Sequence, residues 1–365
     1  MKSILKKTDN QGDGSRYFSE KIVEWYQANH RKLPWRETRD PYRIWLSEVI
    51  LQQTRVAQGL PYYIRFTTHY PSVYALASAP EEEVLRHWQG LGYYTRARNL
   101  IRCARVVVEQ HGGAFPNSFQ KLRLLPGVGD YTAAAIASIA FGEPVATLDG
   151  NVFRVLSRYF GLRHDIALSS SRKVFSDLAT VLVPNGHPGT YNQGIMEFGA
   201  LCCLPKAPQC DDCVLAAGCY ARERRAQALL PVRNVRKRPR KRFFYYFVFI
   251  NGNRVAMRKR SERDIWQNLY DFYVAETPRQ RTLRKVVEND EKLRALAGRL
   301  TELEVTPAYR HKLTHQEIYA RFVVVRNPFK HDVLPRDLTF FSRKSVDRLP
   351  KPVLISRFLA DRKIL

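Results

Sequence analysis

The sequence predicts two domains: a large, mainly α domain, then a smaller α+β domain. Three observations carry this. From residue 16 to about 222, apolar residues recur at helical spacing, broken by Pro and Gly at Pro71, Pro80, Gly90, Gly112, Pro116, Gly161 and Pro184. Seven of the ten residues at 233–242 are Arg or Lys, a composition no core could absorb, so 226–242 reads as a basic linker. An aromatic and β-branched run, Phe243–Ile250, then ends in Asn251-Gly252, a strong hairpin signal.

Residues 1–15 read as a disordered polar start, and 16–225 as the helical domain. Pro41 opens a helix expected over 41–57, PYRIWLSEVILQQTRVA. Its apolar residues cover most of the helical wheel, so it is buried, and Glu48 is buried with it. At Leu125-Pro126-Gly127-Val128-Gly129, Pro126 stops one helix and the two glycines permit a tight hairpin. The following helix starts there, and its free amides and positive end can hold a phosphate, although an ordinary helical hairpin would look the same. Ala133, Ala134, Ala135 and Ala137 make that helix narrow. Asp149 precedes another helix and fits an N-cap. In the second domain Arg254–Lys259 is the return strand, Arg321–Arg326 a further strand and Lys351–Arg362 a closing helix.

Sixty basic against 34 acidic residues give a net charge of +26 and a pI near 10.0. That charge calls for a polyanion, most simply nucleic acid. The 19 Tyr, 19 Phe and 5 Trp imply a large ordered core. No run of 18 apolar residues and no apolar N-terminal segment occurs, so neither a membrane span nor a secretory signal is expected. The expected location is intracellular: cytoplasmic, at the nucleoid. Thiols stay reduced there, so clustered cysteines point to a metal. Cys203, Cys210, Cys213 and Cys219 form a C-x6-C-x2-C-x5-C array within 17 residues. Zinc sites pair their ligands in two short clips and this array has one, so spacing favours a [4Fe–4S] cluster and leaves zinc open. Cys103 and Cys202 stand outside the array and read as core.

The hairpin, the downstream Asp149 and the cysteine array together resemble the helix-hairpin-helix DNA glycosylases of the endonuclease III superfamily. LPWR at 33–36, WLSEVILQQTRV at 45–56, GLGYYTRARNL at 90–100 and LDGNVFRVLSR at 148–158 are similar to the adenine DNA glycosylases of the MutY type. The likeness returns in RKRSERDIWQNLYDF at 258–272 and HKLTH at 311–315. It implies a helix-hairpin-helix glycosylase domain with a [4Fe–4S] loop at 203–219 and a C-terminal MutT-like (Nudix-like) domain over 243–365.

Burial without a cation raises a carboxyl's pKa and can make Glu48 a general acid; an ion pair with Arg36 or Arg55 is the competing expectation. The resemblance implies that Glu48 protonates adenine at N7. It also implies that Asp149, supported by Asn151, stabilises the cation developing on the sugar. Tyr131 stands where lyase relatives carry a Schiff-base lysine, which implies a monofunctional enzyme with little or no lyase activity. Arg36 and Gln193 match residues that hold the extruded adenine, with Leu33 and Trp35 shaping the pocket. Gln53, beside Gln52, and Tyr93 match residues wedged into the base stack; Tyr93 and Tyr94 would equally suit a core. Leu313-Thr314-His315 stands where many members have Phe-Ser-His against 8-oxoguanine, though His315 alone fits a structural histidine. The pyrophosphohydrolase signature is absent after Phe272. The expected activity is hydrolysis of adenine from duplex DNA opposite 8-oxoguanine, and opposite guanine, by a monomer. The alternatives are another helix-hairpin-helix base specificity, a catalytically silent DNA-binding protein, and a nucleotide pyrophosphohydrolase.

Overall fold

The computed structural model describes residues 13–234, 239–296, 303–326, 335 and 337–365. The chain divides into two compact units, one of residues 1–78 and 99–235, the other of 79–98 and 236–365.

The first unit is helical. Its helices are α1 (Asp13–Asn29), α2 (Pro41–Leu51), α3 (Val56–His69) and α4 (Val73–Ser78); α5 (Glu81–His87) belongs to the other unit, and α6 (Thr95–His111) crosses the division. α7 (Phe119–Leu122), α8 (Asp130–Phe141), α9 (Gly150–Phe160), α10 (Ser169–Leu182), α11 (Pro188–Leu201) and α12 (Tyr220–Glu223) complete it. α1 begins two or three residues inside the stretch expected to be disordered; residues 1–12 lie outside the described residues. Phe18 and Ile22 of α1 are fully buried against Phe198 and Ile195 of α11 and Val155 and Leu156 of α9. The narrow α8 allows the close packing its alanines predict. A Cβ at Gly189 would meet the Ser138 carbonyl oxygen of α8 at 2.7 Å.

Two expectations need correction here. The helix expected over 41–57 stops at Leu51, and Gln53 takes a left-handed φ of 55° before α3 begins. Gln is a good helix former, so nothing local announces this break. The linker expected at 226–242 is packed at both ends. Leu230 is buried with Ala221 and Ala226, and the Val232 carbonyl accepts from Ile166 N–H at 3.1 Å. A strand already begins at Arg240. Residues 235–238 of the linker lie outside the described residues.

The second unit is built around β1 (Arg240–Asn251). The remaining strands are β2 (Arg254–Lys259), β3 (Tyr270–Asp271), β4 (Tyr273–Thr277), β5 (Leu303–Val305), β6 (Tyr309–Lys312), β7 (Gln316–Arg326) and β8 (Thr339–Ser342). β1 pairs parallel with β7 along its length, and antiparallel with β2 and β4. Such a strand is buried on both faces, which is why 244–250 is a continuous apolar run rather than an alternating one. On one face Tyr245, Phe247 and Phe249 pack against Val286, Leu293 and Leu296 from α13 (Leu283–Asn289) and α14 (Glu291–Leu296). On the other, Phe322 stacks on Phe358 with centroids 3.9 Å apart. Phe358 comes from α16 (Val353–Asp361), which follows α15 (Arg343–Arg348). The closing helix expected from Lys351 starts two residues later, because Pro352 disfavours helical geometry at Lys351. β7 starts five residues before the expected Arg321. Segment 79–98 joins this unit through Asn268 to Glu81 at 2.5 Å, Gln89 to Ser356 at 3.1 Å and Tyr94 to the Lys351 carbonyl at 3.1 Å. No described helix is long and apolar enough to cross a membrane.

Candidate active site

Glu48 lies on the last turns of α2 among buried neighbours and is itself buried. Asp40 caps this helix, its Oδ1 accepting from Tyr42 N–H at 2.9 Å, with Pro41 in the first turn. The Tyr131 hydroxyl donates to Glu48 Oε2 at 2.7 Å and lies 3.1 Å from Met196 Sδ. Among the described residues no ion pair forms on Glu48. Burial pushes its pKa up to about 7; the Tyr131 hydrogen bond opposes this, the Asp149 charge adds to it and Arg36 opposes it.

The cation expected to compete for Glu48 is held elsewhere. Arg36 Nη1 and Nη2 each donate at 2.7 Å to the two oxygens of Glu197. Arg31 holds the same carboxylate from Nε at 2.8 Å and Nη2 at 2.6 Å. Despite its burial, these two guanidiniums hold the Glu197 carboxyl down at about 2. Arg55 makes no ion pair with Glu48 either.

Asp149 is the N-cap of α9. Its Oδ1 accepts from Asn151 N–H at 2.8 Å and Val152 N–H at 2.7 Å, and its Oδ2 from the Asn151 amide at 3.2 Å. Burial raises its pKa against the pull of these donors and of Arg154. Arg154 Nη2 donates to Asn151 Oδ1 at 2.9 Å and to the Gly199 carbonyl at 2.6 Å. Gly199 is required there, because a Cβ would meet Asn151 Cβ at 2.7 Å. The extended segment leading to Asp149 is fixed by Asn192, which is fully buried. Its Oδ1 accepts from Thr147 N–H at 3.1 Å, and its Nδ2 donates to the Val145 carbonyl at 2.7 Å and to Ser138 Oγ at 2.9 Å.

Glu48, Tyr131, Asp149, Asn151, Arg36, Leu33, Trp35 and Gln193 all line one cavity. Leu33 and Trp35 are buried in its wall around a short 3-10 turn, Pro34–Arg36, with Trp35 edge-on to Tyr63 at 5.0 Å. An adjoining groove shares Glu48, Tyr131, Asp149 and Asn151 and adds Gln52, Gln53, Gly127 and Gly129. Gln52 Nε2 donates to Thr132 Oγ1 at 3.2 Å, while Gln53 is exposed. In the hairpin, Gly127 has φ 75° and a Cβ there would strike Asn99 at 2.6 Å. Gly129 needs no left-handed backbone, its φ being −91°; this corrects the expectation that both glycines make the turn. A Cβ on Gly129 would meet nothing within 4 Å, so the protein's own packing does not demand a glycine there. The positive end of α8 carries its own carboxylate: Asp130 pairs with Arg123 at 2.6 Å.

Cys203, Cys210, Cys213 and Cys219 are free thiols around a second cavity, together with the buried Cys202. Arg158 Nη1 lies 3.4 Å from Cys203 Sγ, and Gln227 Nε2 3.8 Å from Cys210 Sγ. Among the described residues no group of three His, Cys, Asp or Glu is arranged to hold a single metal ion. Cys103 is buried in the core away from the four thiols.

Residues 46–182 match the family model of HhH-GPD superfamily base excision DNA repair proteins, and residues 245–361 the NUDIX domain model. The chain is 30% identical to an adenine DNA glycosylase of Buchnera aphidicola, over 86% of this chain and 87% of that one. The chain belongs to the adenine DNA glycosylases. A human adenine DNA glycosylase is 44% identical over 58% of this chain and 41% of its own length. The structure of a thermostable thymine-DNA glycosylase superposes with a TM-score of 0.55 at 33% identity, covering 59% of this chain and all of the other.

In this adenine DNA glycosylase the remaining candidates lie in the second unit. Tyr93 is exposed with φ 49°, while its neighbour Tyr94 is core. A residue with a side chain held in the left-handed region is strained, and such strain gathers at functional sites. Gln53 shares that feature. Leu313-Thr314-His315 forms the turn between β6 and β7, closed by Leu313 N–H to the Gln316 carbonyl at 2.9 Å. Tyr93 and Thr314 are hydrogen-bonded through their hydroxyls. Thr314 and His315 are exposed. Sequence reasoning missed Glu197, Arg31, Arg154, Asn192 and Tyr26. The signal available for Glu197 was its place one helical turn after Gln193, on the same face of α11.

Proposed function

We propose that this chain is a monofunctional, monomeric DNA glycosylase of base excision repair that hydrolyses adenine from duplex DNA opposite 8-oxoguanine, and opposite guanine. The observation that carries the reading is Glu48: a buried carboxyl with no ion pair, its pKa raised to about 7, on the same cavity as Asp149. Adenine leaves its sugar poorly as an anion, so a proton donor must meet the base as the bond breaks. Glu48 protonated at neutral pH supplies that proton at N7, with Tyr131 fixing the orientation of its carboxyl. The bond then breaks through an oxocarbenium-like state. Asp149, held by its cap donors and by Asn151, places a carboxylate against the positive sugar. Water completes the reaction and an abasic site is left. Arg36, Gln193, Leu33 and Trp35 hold the extruded base. Gln53 and Tyr93 fill the stack, and Thr314 and His315 contact the lesion in the other strand.

A phenol cannot form a Schiff base, so Tyr131 supports hydrolysis without strand cleavage. The four cysteines suit a [4Fe–4S] cluster: the thiols are free, they surround one apolar space, and Arg158 and Gln227 offer donors to sulfur. The cluster would supply a structural cross-link through Cys203, Cys210, Cys213 and Cys219, ordering a basic loop.

The test is a duplex with a single 8-oxoguanine·adenine pair, incubated with the protein and then treated with alkali. The expected result is a nick on the adenine strand that disappears in Glu48→Gln and in Asp149→Asn, with no borohydride-trapped adduct. Brown, folded protein that leaves the adenine strand whole would overturn the reading. A guanine·thymine duplex, cut in place of the adenine one, would move the assignment to a thymine specificity.

A further inference from the structure

The loop between α5 and α6 turns sharply. Gly90 and Gly92 take φ of 99° and 77°, and Tyr93 follows at 49° with a full side chain. A Tyr in that region is strained, so the structure around it must hold it there. The Tyr93 ring is 43% exposed, and its hydroxyl is bonded to that of Thr314. Beside the ring stands Arg96, on the first turn of α6. Its guanidinium lies 5.6 Å from the centroid of the Tyr93 ring and 5.1 Å from that of the fully buried Trp88. Its Nη2 donates to the Leu91 and Gly92 carbonyls at 3.4 and 3.3 Å. The Trp88 indole N–H donates to the Gly92 carbonyl at 2.9 Å. One side chain thus holds both ends of the loop and its middle.

The residue type fits the task. Burial pulls the Arg96 pKa down to about 10, which leaves it charged at neutral pH. A desolvated cation is held more firmly by an aromatic face than an exposed one, and a planar guanidinium can meet rings with its faces while its N–H groups reach carbonyls. An exposed ring free to swing must be ordered as it enters a base stack, whereas a ring already held enters without that cost. Because Tyr93 is joined to Thr314, aiming the one ring also fixes its place beside the residue that faces the opposite strand. We infer that Arg96 is a positioning residue: clamped against Trp88, it holds the Tyr93 ring ready for the stack and so sharpens the choice of 8-oxoguanine over guanine. The inference rests on the role proposed for Tyr93 and deepens it.

Arg96→Lys keeps the charge and removes the plane. With the full chain, affinity is measured for duplexes carrying 8-oxoguanine or guanine opposite an adenine analogue that cannot be excised, and for an undamaged duplex across a range of salt. In Arg96→Lys the preference for 8-oxoguanine over guanine should fall by about tenfold, the scale of one desolvated cation–ring contact. Affinity for the undamaged duplex and its salt slope should stay at the wild-type values, because no phosphate contact is lost. In a Tyr93→Ala background, Arg96→Lys should change the preference no further. A second measurement does not depend on Arg96→Lys folding: the Arg96 Nε–H resonance, shifted by two rings in the wild type, should lose part of that shift in Tyr93→Leu. An unmoved resonance, an equal loss on every duplex, or the same loss of preference with Tyr93 absent overturns the inference. Wild-type protein that prefers 8-oxoguanine while folded Arg96→Lys keeps the full preference overturns it and leaves the proposed function standing; wild-type protein that binds the two duplexes alike overturns both.

Discussion

At the scale of single residues, the site is defined by which carboxyl has cations and which lacks them. Glu48 and Glu197 are both buried, yet one is pushed up to about 7 and the other down to about 2. The difference lies in Arg31 and Arg36, both committed to Glu197. Glu48 is therefore kept at a cost in stability. Its folded pKa lies above its unfolded value, so the folded state binds the extra proton: stability falls as pH rises from about 4.5 to about 7, and the full penalty of about 3 kcal/mol is present above that. Glu48→Gln removes the charge and keeps an oxygen for the Tyr131 hydroxyl. It should be inactive and yet melt higher than wild type at pH 8, with the gap closing toward pH 5, in calorimetric scans across that range. Equal melting points at both pH values would contradict the buried, unpaired assignment. Glu48 was legible in the sequence because an apolar helix with one acidic residue must bury it. The choice between general acid and ion pair was not legible, because the partner that removes Arg36 from contention sits 161 residues away on α11.

At the scale of elements, α2, α8, α9 and α11 carry the site and are joined by polar clamps rather than by apolar packing alone. Glu197 ties α11 to the 31–36 loop, and Asn192 ties it to the segment entering Asp149. Glu197→Gln leaves Arg36 without its countercharge in a buried setting and should cost about 3 kcal/mol, read as a lower urea midpoint. The Glu197 contribution follows its depressed pKa: it is present above about pH 4.5 and is lost as pH falls toward about 2. A midpoint unchanged at pH 7 would show that the triad is not coupled to folding. Strands and helices with strong periodicity were legible, including β1, the Asn251-Gly252 turn and the Pro41 helix start. The break after Leu51 was not. Gln53 at φ 55° is imposed by tertiary structure on a good helix former, a local conflict of the kind expected where function overrides propensity. Gly129 shows the converse: a glycine that reads as turn chemistry is conformationally ordinary.

At the scale of the whole chain, the net charge of +26 and the two family modules belong to one molecule that handles DNA. The boundary between modules was legible only as a composition shift. The residues flanking it turned out to be packed, because Leu230 and Val232 are apolar islands in an otherwise basic stretch. That segment 79–98 belongs with the C-terminal unit had no sequence signal, since its ties to Asn268, Ser356 and Lys351 span more than 150 residues. The cysteine array pointed to a metal in the sequence, and spacing alone left its content open. If it holds a cluster, the purified protein is brown, with iron and acid-labile sulfide in equal amounts, and Cys210→Ala loses both. Colourless, fully folded wild-type protein from an anaerobic, iron-replete preparation would contradict this.

The central claim is that a carboxylic acid at residue 48, poised by burial and moderated by Tyr131, protonates the departing adenine. It is tested most directly by the pH dependence of single-turnover adenine release from the 8-oxoguanine·adenine duplex. The proton must be on Glu48, so the rate should fall about tenfold per pH unit above a midpoint near 7, and it should fall again on the acid side where Asp149 takes up its proton. Tyr131→Phe removes the hydrogen bond that lowers the Glu48 pKa, so its midpoint should move upward while Glu48→Gln shows no rate to titrate. A wild-type rate that stays level from pH 6 to pH 9, or a Tyr131→Phe midpoint that moves downward, would contradict the account.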